Sequence, residues 1–184
     1  MYDPQSDLAR VLVSEKQIRD RVHEIAEQIS SDYAGVDNLY MVGILKGAFI
    51  FLADLARELR IPHSVDFMAV SSYGKKGATS GEVRLVMDLR EPVTDKHVLI
   101  VEDIVDTGQT LAYLLKTLNG RRPASLKTCV LVRKDRKSLD VTVDYLGYEI
   151  PNVWVVGYGL DYLDRYRTLP YIAELEKRVY DVPT

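Results

Sequence analysis

A run of nine residues concentrates the side chains of this sequence that can do chemistry: Glu102-Asp103-Ile104-Val105-Asp106-Thr107-Gly108-Gln109-Thr110. It leaves the apolar stretch His97–Val101 through carboxylates and ends in hydroxyls and a glycine. Where a helix starts at such a turn, its first amides point free and carry partial positive charge, and a glycine lets a ligand approach the backbone. Thr107, Gly108, Gln109 and Thr110 therefore read as a phosphate cradle, with hydroxyl donors from both threonines. Carboxylates beside a phosphate repel it unless something cationic or rich in hydroxyls lies between them. A ribose 5-phosphate meets that condition, because its hydroxyls can donate to Glu102 and Asp103 while a divalent metal bridges the sugar and its leaving group. The Walker phosphate-loop pattern is absent, and the turn lacks the glycine spacing of a dinucleotide fold.

Such a turn works only if a strand and a helix hold it. Ser14 and Gln17 form a capping-box pair, and Ile18, Val22, Ile25 and Ile29 follow at helical spacing. Asn38–Leu45 reads as a buried strand, Lys46-Gly47 as a turn, and Phe49–Leu59 as a helix burying Ile50, Leu55 and Leu59. Val65–Val70 and Val83–Met87 are strand-like and flank a polar, glycine-rich loop. His97–Val101 is a strand, Thr107–Leu118 a helix and Thr128–Val132 the next strand. Further strands are expected near Val143–Leu146 and Val153–Val156, with a final helix after Pro170. This alternation predicts an α/β fold whose largely parallel sheet is covered on both faces, with ligands beyond the carboxyl ends of its strands.

Composition bounds the rest. The 184 residues suit one domain, and a net charge of −3 gives no global attraction to nucleic acid or acidic membrane, so an anionic ligand needs local donors. Cys129, the lone cysteine, lies in the apolar run LKTCVLV and reads as core, which leaves no internal disulfide. His23, His63 and His97 cluster with no other ligand, so each reads as structural or surface, and zinc spacing is missing. The start MYDPQSDLAR has no apolar signal region and no stretch approaches membrane-span length, so a cytoplasmic protein is expected.

The stretch VLIVEDIVDTGQTL (Val98–Leu111) resembles the phosphoribosyl-pyrophosphate (PRPP) motif of type I phosphoribosyltransferases, in their hypoxanthine-guanine branch. The likeness extends from ILKGA (Ile44–Ala48) through SSYG (Ser71–Gly74) to GYEIPNVWVVGYGLDYLDRYR (Gly147–Arg167). It implies the type I fold: one domain over 1–184, a core over about 36–140, a small hood from about 1–13 and 141–184, and a flexible loop over about 71–82. It implies transfer of ribose 5-phosphate from PRPP to hypoxanthine or guanine, giving IMP or GMP and pyrophosphate, with Mg²⁺ and a homodimer or homotetramer. By resemblance, Lys46, Gly47 and Arg167 meet pyrophosphate, and the bond entering Lys46 is a non-proline cis peptide. Glu102 and Asp103 hold ribose and metal, Asp106 acts as acid and base at the purine N7, and Asp106–Thr110 bind the 5′-phosphate. Gln109 stands where some relatives have lysine. Ser72 and Tyr73 belong to the closing loop, Lys134 meets the purine O6 with Arg133 a competitor, and Trp154 stacks on the base. Val155 offers backbone groups to the base, and Asp161 lies near the purine two-position and a second metal. A PRPP-sensing, RNA-binding regulator on the same fold is the alternative, opposed by the lack of a basic cluster.

Overall fold

The computed structural model describes residues 4–73, 82–136 and 141–181. After a short 3-10 turn (Pro4–Asp7) and β1 (Leu8–Val13), Ser14 caps α1 (Glu15–Asp32). The Ser14 side chain accepts from Gln17 N while the Gln17 side chain accepts from Ser14 N at 2.9 Å, the capping box read in the sequence. Ile18, Val22, Ile25, Ala26 and Ile29 are the buried stripe of α1.

Then follow β2 (Leu39–Leu45), α2 (Phe49–Glu58), β3 (His63–Tyr73), β4 (Glu82–Met87), β5 (His97–Val105), α3 (Gln109–Asn119), β6 (Ser125–Lys134) and β7 (Tyr145–Ile150). Six of these strands form one sheet in the order β4-β3-β2-β5-β6-β7, parallel throughout except for β3 with β4. The two faces are separated by strand periodicity. Leu39, Met41, Leu99 and Val101 pack with α1 and α2, whereas Tyr40, Val42, Val98 and Ile100 pack with Leu111, Leu114 and Leu118 of α3. Both faces are therefore covered by helices, as parallel sheets require. In β5 the alternation breaks after Val101: Ile104 returns to the α1–α2 face and Val105 to the α3 face, with Glu102 and Asp103 at the break.

A second sheet joins the two chain ends: β1, then β9 (Ile172–Leu175), then β8 (Val155–Val156), all antiparallel. A last short helix, α4 (Lys177–Tyr180), follows. Val156, Tyr166 and Leu175 form its small core, with Leu8, Tyr162, Val179 and Tyr180 packed around them.

Several elements depart from the sequence reading. The chain after Pro170 is strand before helix, because Ile172 and Ala173 bond into the gap between β1 and β8. β8 is only Val155–Val156, since Trp154 lies outside it. β7 starts at Tyr145 and pairs with β6 in the large sheet, whereas the resemblance assigns residues from about 141 onward to the hood. α2 buries Phe51, Leu52 and Leu55, while Ile50 is only half-buried. α3 begins at Gln109, with Thr107 before it. β5 runs through the acidic pair to Val105, and β6 runs to Lys134, so both carry site candidates on the strand itself. Cys129 is fully buried and burial pushes its thiol pKa up, which fits a core residue. Most of the loop expected over 71–82 lies outside the described residues. Ser72 and Tyr73 end β3, their backbones opposite Val83 and Glu82.

Candidate active site

Three parallel neighbours, β2, β5 and β6, end on one rim of the large sheet at Leu45, Val105 and Lys134. Lys46 and Gly47 follow the first of them, and the bond from Leu45 to Lys46 is cis. After β5 the chain turns through Gly108, whose φ of 79° is a left-handed conformation suited to glycine. No side chain caps α3, so its first-turn amides remain available to a ligand, with Thr107 and Gln109 exposed beside them. Thr107–Thr110, read as a cradle in the sequence, are the residues that open α3 at this turn.

The acidic pair is held under stress. Glu102 is 6% exposed and its Oε2 has no hydrogen-bond partner. Burial, reinforced by the Asp103 charge, drives the Glu102 pKa well above the ordinary carboxylate range. Burial also pushes Asp103 up to about 6, against the lowering pull of backbone amides at Ile104 and Asp103. Ile104 N donates to Asp103 Oδ1 at 2.9 Å. Asp103 fits there because Gly47 has no side chain: a Cβ on Gly47 would stand 1.6 Å from Asp103 Oδ2. Gly159 (φ 101°) lies over Gly47 in turn, and a Cβ on it would stand 1.9 Å from the Gly47 carbonyl oxygen. An unpaired buried oxygen beside a second strained carboxylate suits a hard, oxygen-seeking divalent cation together with hydroxyl donors. Among the described residues no three His, Cys, Asp or Glu side chains converge as a metal cage, so substrate oxygens or water must complete such a site.

Asp106 faces two cations. Lys134 Nζ donates to its Oδ2 at 2.9 Å, and an Arg136 Nη2 approaches its Oδ1 at 2.5 Å as an ion pair without hydrogen-bond alignment. Lys134 is 8% exposed and lines a cavity of about 200 Å³ with Asp103, Ile104, Asp106, Trp154, Val155, Leu160 and Asp161. Arg133 is outside that cavity and pairs with Glu149. Trp154, 44% exposed, offers an aromatic wall opposite polar groups, a surface suited to a flat heteroaromatic ring.

A larger open groove of about 870 Å³ shares Asp161 with this cavity and is lined by Lys46, Ser71, Asp164 and Arg167. Its cations are already engaged. Lys46 Nζ donates to both Asp164 oxygens at 3.0 Å, and Arg167 Nη2 meets Asp164 and Asp161 at 2.8 Å each. Arg167 Nη1 also donates to the Gly159 carbonyl at 2.7 Å.

The structure therefore gathers Lys46, Asp103, Asp106, Lys134, Trp154, Val155, Asp161 and Arg167 around two adjoining hollows, with Gly47 against Asp103 and Thr107–Thr110 opening α3 on the same rim. Sequence reasoning missed Arg136, Gly159 and Asp164. Each acts through a partner remote in sequence; Asp164 and Lys46 are 118 positions apart. The available signal was the alternation of acid and base in DYLDRYR, Asp161–Arg167.

Comparison with known proteins gives the arrangement its context. The profile of the phosphoribosyl transferase domain family matches residues 12–163. A hypoxanthine-guanine phosphoribosyltransferase of Dictyostelium discoideum is 48% identical, covering 92% of this chain and 97% of its own. The enzyme of that name from Mycobacterium tuberculosis is 47% identical over 95% of this chain and 89% of its own. Among solved structures, a hypoxanthine phosphoribosyl transferase of Trypanosoma cruzi superposes with a TM-score of 0.89 at 44% identity, covering 98% of this chain and 96% of its own. These likenesses establish that the chain belongs to the phosphoribosyltransferase family, in its hypoxanthine-guanine branch.

Proposed function

We propose that this chain is a purine-salvage transferase of the cytoplasm, moving ribose 5-phosphate from PRPP to N9 of hypoxanthine or guanine. The carrying observation is the cavity in which Asp106, Lys134 and Trp154 meet beside Asp103, in a chain of this family. In the reaction the bond from C1′ to the pyrophosphate oxygen breaks, the electron pair leaves with pyrophosphate, and N9 of the base bonds to C1′.

The amides and hydroxyls of Thr107, Gly108, Gln109 and Thr110, with Asp106 at their head, receive the 5′-phosphate end. Glu102 and Asp103 accept from the ribose hydroxyls, which supplies the donor that the buried Glu102 Oε2 lacks. Their negative charge then lies where positive charge develops on the sugar. Lys46, the Gly47 backbone and Arg167 take the pyrophosphate. Mg²⁺ would be held by Glu102 and Asp103 and at a second position by Asp161, and when bound would supply further charge neutralisation of the leaving group. Lys134 donates to O6 of the base, Val155 offers backbone groups, Asp161 stands near the two-position and Trp154 stacks on the ring. Asp106 takes and returns the proton at N7, steadied by Lys134 and Arg136. By resemblance, Ser72 and Tyr73, at the end of β3, are assigned to a loop that would close over the reacting centre.

A homodimer or homotetramer completes the reading, supported by exposed Val65, Val86 and Met87 on the β3–β4 side of the sheet. No observation favours an RNA-binding regulator. The test is a panel of purines with PRPP and Mg²⁺, following pyrophosphate release. IMP and GMP are the expected products, with adenine inert. Asp106→Asn is expected to lower kcat by about 10²–10⁴-fold while PRPP still binds; turnover near wild type would remove Asp106 from its role.

A further inference from the structure

Trp154 has an aromatic neighbour that the purine site does not use. Its ring stacks on Tyr180 with centroids 5.4 Å apart and planes 25° apart, and Tyr162 meets it edge-on at 5.5 Å and 90°. Neither tyrosine lines the cavity of about 200 Å³ to which Trp154 contributes a wall. An indole has two faces, and because Tyr180 stacks on Trp154 without lining the cavity, we infer that it covers the face turned away from it.

Tyr180 is itself held firmly. It ends α4, whose Arg178 reaches Asp7 at 3.1 Å and also donates to the Ser6 carbonyl, while Glu176 N donates to the Asp7 carbonyl at 2.8 Å. Val179 and Tyr180 pack against Val156, Tyr166 and Leu175. On the other side, Leu175 N donates to the Trp154 carbonyl at 2.9 Å. The backbone of Trp154 is thus fixed by β9 and its ring by Tyr180. A half-exposed indole without backing loses rotamer freedom when a ligand stacks on it, and that loss weakens binding.

We propose that Tyr180 is a positioning residue for the acceptor base: it backs Trp154, so that the base stacks on a platform already ordered by the two joined chain termini. The proposal rests on Trp154 being the base-stacking wall in the function proposed above. It places a determinant of base affinity on the C-terminal helix, with no contact to substrate.

Two variants separate ring backing from simple packing. Tyr180→Leu keeps apolar bulk in the small core, and Tyr180→Phe keeps the ring. Tyr180→Leu is expected to raise the KM for hypoxanthine by about three- to tenfold, the size of an aromatic pair, with kcat and the KM for PRPP changed by less than about twofold. Tyr180→Phe is expected to restore the wild-type KM. Trp154 is the sole tryptophan, so emission reads the platform directly: Tyr180→Leu should alter the spectrum and weaken the response to IMP titration. A hypoxanthine KM unchanged in Tyr180→Leu, or both KM values rising together with Tyr180→Phe equally impaired, would overturn the proposal. A wild-type protein that transfers to no purine overturns the function reading and this inference with it; an active wild type with an indifferent Tyr180→Leu overturns this inference alone.

Discussion

Asp103 must carry charge where its surroundings oppose it. Its pKa is raised from 3.8 to about 6, chiefly by burial. An acid whose folded pKa lies above its unfolded one is most compatible with folding when protonated. The associated stability is full below about pH 4, falls as the unfolded carboxyl ionises, and is lost above about pH 6. Glu102, also raised, pulls in the same direction. Asp103→Asn is therefore expected to raise the melting temperature of the ligand-free protein at pH 7.5 and to raise it much less at pH 4.5, while abolishing most transferase activity. Thermal melts at the two pH values check this, and equal gains at both would show that charge is not the cause. Stability surrendered for a site that gains its partners only on binding is a familiar trade in enzymes. At this scale the sequence was informative where neighbours in the chain are neighbours in the site. Glu102 through Thr110 is one contiguous stretch, from the end of β5 into the first turn of α3. Asp164 and Arg136 gave no comparable signal, because what defines them is a partner delivered by another strand.

The strand ends and the loop that crosses above them are joined through backbone contacts at glycine as well as through side chains. Gly159 in the 157–169 loop packs on the Gly47 carbonyl, and Gly47 packs on the Asp103 carboxylate. A methyl group at Gly159 meets backbone that cannot yield, at a φ of 101° that penalises any side chain. Gly159→Ala is expected to cost about 1–3 kcal/mol of stability. It should also raise the KM for PRPP more than the KM for hypoxanthine, since the displaced element carries Lys46. Urea melts with steady-state kinetics measure both, and a variant with wild-type stability would refute the close packing. Element identity was readable where local pattern and tertiary demand agree. α1 has its capping box and stripe, and β2 is an unbroken apolar run. The segment Ile172–Leu175 was misread because four residues after a proline carry no decisive period. Its partners, β1 and β8, decide the matter, and β1 lies near the other end of the chain.

The whole molecule is two sheets that meet over the site, the large one supplying the rim and the small one supplying Trp154, Val155 and the loop to Arg167. A ligand touching both should therefore resist unfolding as a unit. IMP at a hundredfold its Kd stabilises by about 2.7 kcal/mol, which for a chain of this length corresponds to a rise in melting temperature of about 5–10 °C. Scanning calorimetry with increasing IMP tests this, and a flat response would show that the base cavity and the cradle do not take one ligand together. The ion-pair chain Lys46–Asp164–Arg167–Asp161 spans the same divide, from the end of β2 to the loop above it. Its cations already own a tethered counter-ion. Entry of an anion at Lys46 and Arg167 is therefore an exchange, not an addition. The resident carboxylate competes at the high effective concentration of a group on the same chain. A lone monoanion gains little from that swap. A diphosphate gripping both cations at once, as proposed for Lys46 and Arg167, would displace Asp164, and the loop would then read the number of charges on its ligand as well as their sign.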